Sequence, residues 1–120
     1  METSTPNIRF RTKSFALRIV ALYASLPGDA VSQVIGKQLL RSATSVGAHV
    51  REGKHSRSAA ELFSKLSAGL QEMEEARYWL ELLGDCGAVK VNRLSDLFQE
   101  ADELVALLFA STRTLKHKLR

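Results

Sequence analysis

Apolar residues three or four apart recur along almost the whole chain, a period that fits α-helices and rules out strand alternation. In the first segment Phe15, Ile19, Leu22 and Leu26 form such a stripe, widened by Ala16, Val20 and Tyr23. Thr12 or Ser14 can cap its start, which leaves residues 1–9 as a flexible leader, and Leu26-Pro27-Gly28 stops it. Asp29 is a good N-cap for a second helix whose stripe is Val31, Ile35, Leu39, Ala43, Val46 and Val50, ending near Gly53. Ser58 and Glu61 have the spacing of a capping box, so a third helix starts there, with Leu62, Leu66, Leu70, Met73, Leu80 and Leu83 on its buried face. Gly84-Asp-Cys-Gly87 is turn chemistry. Asn92 can then cap a fourth helix carrying Leu97, Ala101, Leu104, Leu108, Leu115 and Leu119.

Four long helices with short connections favour antiparallel neighbours, so the expected fold is all-α, a single up-down-up-down four-helix bundle over residues 1–120. With 45% hydrophobic residues, a chain of this length can build one core. The single cysteine, Cys86, cannot close an internal disulfide and has no ligand cluster around it, which suits a reducing compartment. The polar N-terminus has no signal-peptide core, and no stretch approaches the ~20 apolar residues of a membrane span, so a cytoplasmic protein without membrane contact is expected.

Helix two is rich in small residues, including Gly36, Ser42, Gly47 and Gly53. They permit either close helix packing or a site that admits a ligand or another subunit. The stretch Gln38-Leu-Leu-Arg-Ser-Ala-Thr-Ser-Val-Gly-Ala-His-Val-Arg-Glu-Gly53 resembles the signature of the bacterial four-helix-bundle family known as S23 ribosomal or 23S rRNA intervening-sequence proteins. Lys65-Leu66, Glu72, Glu75, Ala76 and Tyr78-Trp-Leu-Glu-Leu-Leu83 resemble its third helix, and Glu103-Leu-Val-Ala-Leu-Leu108 its fourth. The resemblance implies a ring-like homo-oligomer, a pentamer in relatives, and no reaction. The family is also similar to accessory proteins of diversity-generating retroelements, which bind nucleic acid and a reverse transcriptase. His49 departs from the pattern, which usually has Asn there.

Catalytic chemistry finds little footing. Glu52-Gly-Lys-His55 has the Glu-x-x-His spacing of di-iron bundles but lacks a second motif, so neither a metal nor any other cofactor is expected. Glu72 and Glu75 could serve as an acid-base pair, yet Arg41 in helix two is a natural partner, which favours a structural polar network. No nucleophile elbow or phosphate-binding glycine loop occurs, so no catalytic residues are assigned. Tyr78-Trp79 is the only adjacent aromatic pair, suited to a subunit interface or to the boundary of the core.

Topology sorts the charges. The net charge is only +4, but an up-down-up-down bundle gathers Arg9, Arg11, Lys13, Arg51, Lys54, Arg57, Arg113, Lys116, Lys118 and Arg120 at one end. Helix macrodipoles explain cations at the ends of helices two and four, though not those at the start of helix one. In a cyclic oligomer such an end would be repeated on one face and could bind RNA or DNA backbones. The expected function is therefore a non-enzymatic homo-oligomer that binds nucleic acid or a nucleoprotein through this end. The alternatives are a scaffold for a protein partner and, with less support, a metal-dependent enzyme.

Overall fold

In the computed structural model, which describes residues 4–119 and the side chains from residue 8 onward, apolar periodicity becomes four helices in chain order. These are α1 (Ser4–Ala24), α2 (Ala30–Gly53), α3 (Ala59–Asp85) and α4 (Val91–Lys118). Consecutive helices run antiparallel around one core, in a body 48 × 22 × 21 Å. The α2–α3 pair packs most extensively and the closing α1–α4 contact is the narrowest.

The caps explain the boundaries. Asp29 accepts the Ser32 N–H at 3.1 Å, and Ser58 Oγ accepts the Glu61 N–H at 3.0 Å. Glu61 reaches back to the N–H of Arg57, one residue before the position a standard capping box would use. At the end of α3, Gly87 takes φ +82°, a region that penalises a Cβ. Its N–H donates to the Gly84 carbonyl and that of Val89 to Leu83, which satisfies two of the orphan carbonyls of the last turn.

Three boundary or stripe expectations need correction. First, α1 is already helical from Ser4, because Pro6 is tolerated in a first turn and Ile8 adds a buried anchor. Residues 4–9 are thus part of α1, while residues 1–3 lie outside the described residues. Thr12 is no cap; it is fully buried and donates to the Arg9 carbonyl. Second, α4 starts one residue before Asn92, which is therefore inside the helix; Lys90 holds the cap position with no side-chain bond. Third, Val20, Val31 and Leu119 are exposed: Val20 faces outward between the buried Ile19 and Leu22, while Val31 and Leu119 lie at the ends of their helices.

Elsewhere the stripes become the core. Phe15, Ile19, Leu39, Ala43, Val46, Met73, Leu80, Leu83, Leu104 and Leu108 are buried together. The buried hydroxyls of Thr12, Ser42 and Thr112 each donate to a carbonyl three residues earlier, which satisfies them within their own helices. Close approach is visible at Gly36, where an added Cβ would lie 3.0 Å from the Tyr23 ring. Gly36, and Gly53 beside Leu62, therefore serve helix packing.

Candidate nucleic-acid interface

One end of the bundle is built from the carboxyl ends of α2 and α4 and the amino end of α3. Gly53 packs beside Leu62 and Leu66, and Lys116 lines the same groove as Phe63, which fixes the three helix ends together. Arg51, Lys54, Arg57, Arg113, Lys116 and Lys118 are all exposed there. Arg9 and Lys13 are exposed on α1, but Thr12 lies against Gly47. At 1.5 Å per residue Arg9 then lies roughly 5 Å and Lys13 roughly 10 Å inward along the axis from the level of Gly53, so they flank the end. Arg120 lies outside the described residues.

Arg11 must be removed from this set. Its guanidinium donates to Glu100 at 2.7 and 3.0 Å and to Glu103 at 2.6 Å, bridging α1 to α4 where the bundle closes. The Glu100 and Glu103 hydrogen bonds hold the Arg11 pKa well above its usual range. A cation clamped between two carboxylates has little field left for a phosphate.

The pairs made by Arg77 and Arg41 also lie along the flanks, whereas Lys65 with Glu52 sits at the last turn of α2. Arg77 meets Asp102 at 2.7 Å and Lys65 meets Glu52 at 3.0 Å. Arg41 reaches Glu72 at 3.3 Å and also pairs with Glu75, which in turn accepts the Trp79 indole N–H at 3.0 Å. Arg41, Glu72, Glu75 and Trp79 thus form one polar network across α2 and α3. Arg51, Lys54, Arg57, Arg113, Lys116 and Lys118 have no carboxylate within 4.0 Å among the described residues. Arg18, Lys37, Lys90 and Arg93 are likewise exposed and unpaired there, but they lie apart from this cluster. The carbonyl ends of α2 and α4 offset part of this positive charge, since basic residues occupy their last turns.

The network carries a pH signature. The Trp79 N–H, followed by Arg41, holds the Glu75 carboxyl below its usual value, and Lys65 does the same for Glu52. Arg11 lowers Glu103. A carboxylate with a depressed folded pKa stabilises the fold above its unfolded pKa, and that contribution is lost as pH falls through the folded value. The urea midpoint is therefore expected to fall between about pH 6 and about pH 3, less steeply in Glu75→Gln. An identical fall in that variant would remove Glu75 from the account.

The Glu52/His55 spacing assembles no metal site. Glu52 accepts from Lys65, His55 lies beyond the end of α2, and no group of three metal-ligating side chains forms among the described residues. His49 is half-buried beside Gly69, its Nδ1 3.7 Å from Glu52. Tyr78 is exposed with its ring 5.1 Å from that of Trp79, which is half-buried against the core.

Two features were missed in the sequence. One is an outward apolar stripe on α1, where Phe10 is 72%, Leu17 59% and Val20 45% exposed. The seven-residue spacing of Phe10 and Leu17 is its signal. The other is a groove of about 420 Å³ between α3 and α4, floored by Phe63, Leu70 and Phe109 and edged by Arg113, Lys116 and His117. Phe63 and Phe109 each sit one position off the core stripe, a weak signal beside Leu62 and Leu108.

Fold and charge together define an antiparallel all-α bundle with ion pairs along its flanks and a cluster of unpaired cations at one end. The chain belongs to the 23S rRNA-intervening sequence protein family, whose model matches residues 7–110. A crystal structure of a protein of unknown function from the S23 ribosomal protein family of Bacteroides thetaiotaomicron VPI-5482 is similar. It is 32% identical, with a TM-score of 0.86, over 92% of this chain and 99% of that one. Among curated proteins none matches the sequence. No helix among the described residues is long and apolar enough to cross a membrane.

Proposed function

We propose that the protein is a non-enzymatic, self-associating four-helix bundle that binds RNA or DNA, free or within a nucleoprotein, through its basic end in the cytoplasm. The observation that carries this reading is the sorting of its charges. Arg11, Arg41 and Arg77 are paired along the flanks and Lys65 is paired with Glu52, whereas Arg51, Lys54, Arg57, Arg113, Lys116 and Lys118 form the largest cluster of cations unpaired among the described residues. Unpaired cations on one surface are the electrostatic footprint of a polyanion partner. Backbone contacts of this kind hold a strand without reading its sequence.

Self-association is supported by the exposed Phe10, Leu17 and Val20 on α1 and by Tyr78 on α3, more outward apolar surface than a helix facing only water requires. The family resemblance makes a pentameric ring the assembly to expect. Such a ring would bring several basic ends onto one face and raise avidity. The same apolar surfaces also support the second reading, a scaffold for a protein partner.

The test is binding of a labelled duplex of arbitrary sequence, followed by fluorescence anisotropy as salt is raised from about 50 to about 200 mM. Binding that weakens steeply over this range is expected. Absence of binding at the low end, to this duplex and to its separate single strands alike, overturns the proposal and leaves the protein-scaffold reading.

A further inference from the structure

We infer that the groove between Phe63 and Phe109 seats an unpaired base of single-stranded nucleic acid, with its phosphates held by Arg113, Lys116 and His117. This rests on the reading of the basic end as a nucleic-acid surface, and it adds which form of nucleic acid that surface prefers.

Three observations converge. First, the cavity of about 420 Å³ is within the range of small-ligand pockets, and its floor is aromatic and aliphatic rather than charged. Phe109 is 53% exposed, an uncommon state for a phenylalanine beside so deep a core, and it presents a face on which a base can stack. Second, the edge carries two cations, Arg113 and Lys116, with the His117 imidazole beside them. Arg113, Lys116 and His117 follow one another on α4 within about one helical turn, and none has a carboxylate partner among the described residues. An apolar floor with a cationic edge is the combination that grips single strands: stacking takes the base while the basic rim tracks the backbone. A duplex keeps its bases stacked inside and cannot offer one to a recessed ring.

Third, the α3–α4 seam contains its own comparison. Further along it lies a second depression lined by Glu74, Arg77, Tyr78, Glu81, Phe98 and Asp102. It is aromatic too, but its one cation, Arg77, is already paired with Asp102, which leaves Glu74 and Glu81 to repel a phosphate. Charge therefore selects the groove at the basic end as the seat for a polyanion.

The experiment measures anisotropy with a labelled single-stranded RNA oligonucleotide and with the matching duplex, in low salt, for the natural protein and for Phe109→Ala and Phe109→Trp. Phe109 is solvent-exposed, so these variants retain the core. Single-strand affinity is expected to fall about tenfold in Phe109→Ala and to be kept in Phe109→Trp, with duplex affinity unchanged in both. Equal effects on the two probes, or none on either, would overturn the inference while leaving the basic-end reading intact. A change in oligomeric mass on Phe109→Ala would also overturn it, since Phe109 would then be a contact between copies. Failure of the natural protein to bind either probe would defeat the basic-end reading itself.

Discussion

Phe15→Ala is expected to cost about 3–5 kcal/mol, a large share of the ~5–15 kcal/mol that holds a domain of this size together. Phe15 is 1% exposed, and contacts between neighbouring helices set the register around it. Thr12 against Gly47 brings Phe15 within about one turn of Ala43. Ala43 is fully buried, so the phenyl ring supplies volume that it does not. Removing it leaves a cavity that α1, held to α4 by the narrowest contact of the bundle, is poorly placed to fill.

The complementary change sharpens the expectation. Ala43→Leu alone overfills the interior and is expected to cost about 1–3 kcal/mol. In the Phe15→Ala background the same leucine enters the vacated space, so the two losses should fail to add by roughly 1 kcal/mol or more. Urea denaturation followed by circular dichroism reads both quantities. Strict additivity would show that Phe15 and Ala43 do not share a layer, and a Phe15→Ala cost below about 1 kcal/mol would contradict the packing described.

The second large effect concerns binding. Reversing Arg113, Lys116 and Lys118 to glutamate removes three cations that have no carboxylate partner among the described residues, so the fold loses little by it. If each contacts one phosphate, each contributes a salt slope of about 0.9, or roughly eightfold in affinity near 0.1 M salt. Loss of the three together is then several hundredfold per subunit, and repulsion from the new carboxylates adds to it. Binding curves at several salt concentrations should show a lower affinity and a shallower slope. A loss of affinity at unchanged slope would mean that the residues act through shape rather than charge.

The fold was readable because each helix announces itself twice, by its stripe and by its ends. Asp29 and Ser58 cap where the sequence suggests, since a side-chain oxygen followed by a helical stripe is a local signal. Thr12 and Asn92 misled for the opposite reason. A hydroxyl can equally bond to a carbonyl within its own helix, as Thr12 does, and Val89 anchors the start of α4 through burial, which capping chemistry does not reveal. The basic end followed from topology, because antiparallel order alone decides which helix ends meet. What could not be read was which cations are already engaged. Arg11 looks like its neighbours Arg9 and Lys13 until its partners, some ninety residues away on α4, come into view. The Phe63–Phe109 groove was hidden likewise, as it takes one side chain from each of two helices and depends on their mutual rotation.

The central claim is that location, and not net charge, makes one end of this bundle a nucleic-acid surface. The most direct measurement compares two triple variants that change the net charge equally. In one, Arg113, Lys116 and Lys118 become glutamate; in the other, the exposed Lys37, Lys90 and Arg93, toward the opposite end, do so. Anisotropy against the same labelled nucleic acid at one low salt concentration is expected to show binding lost in the first and kept in the second. Equal loss in the two variants would contradict the account.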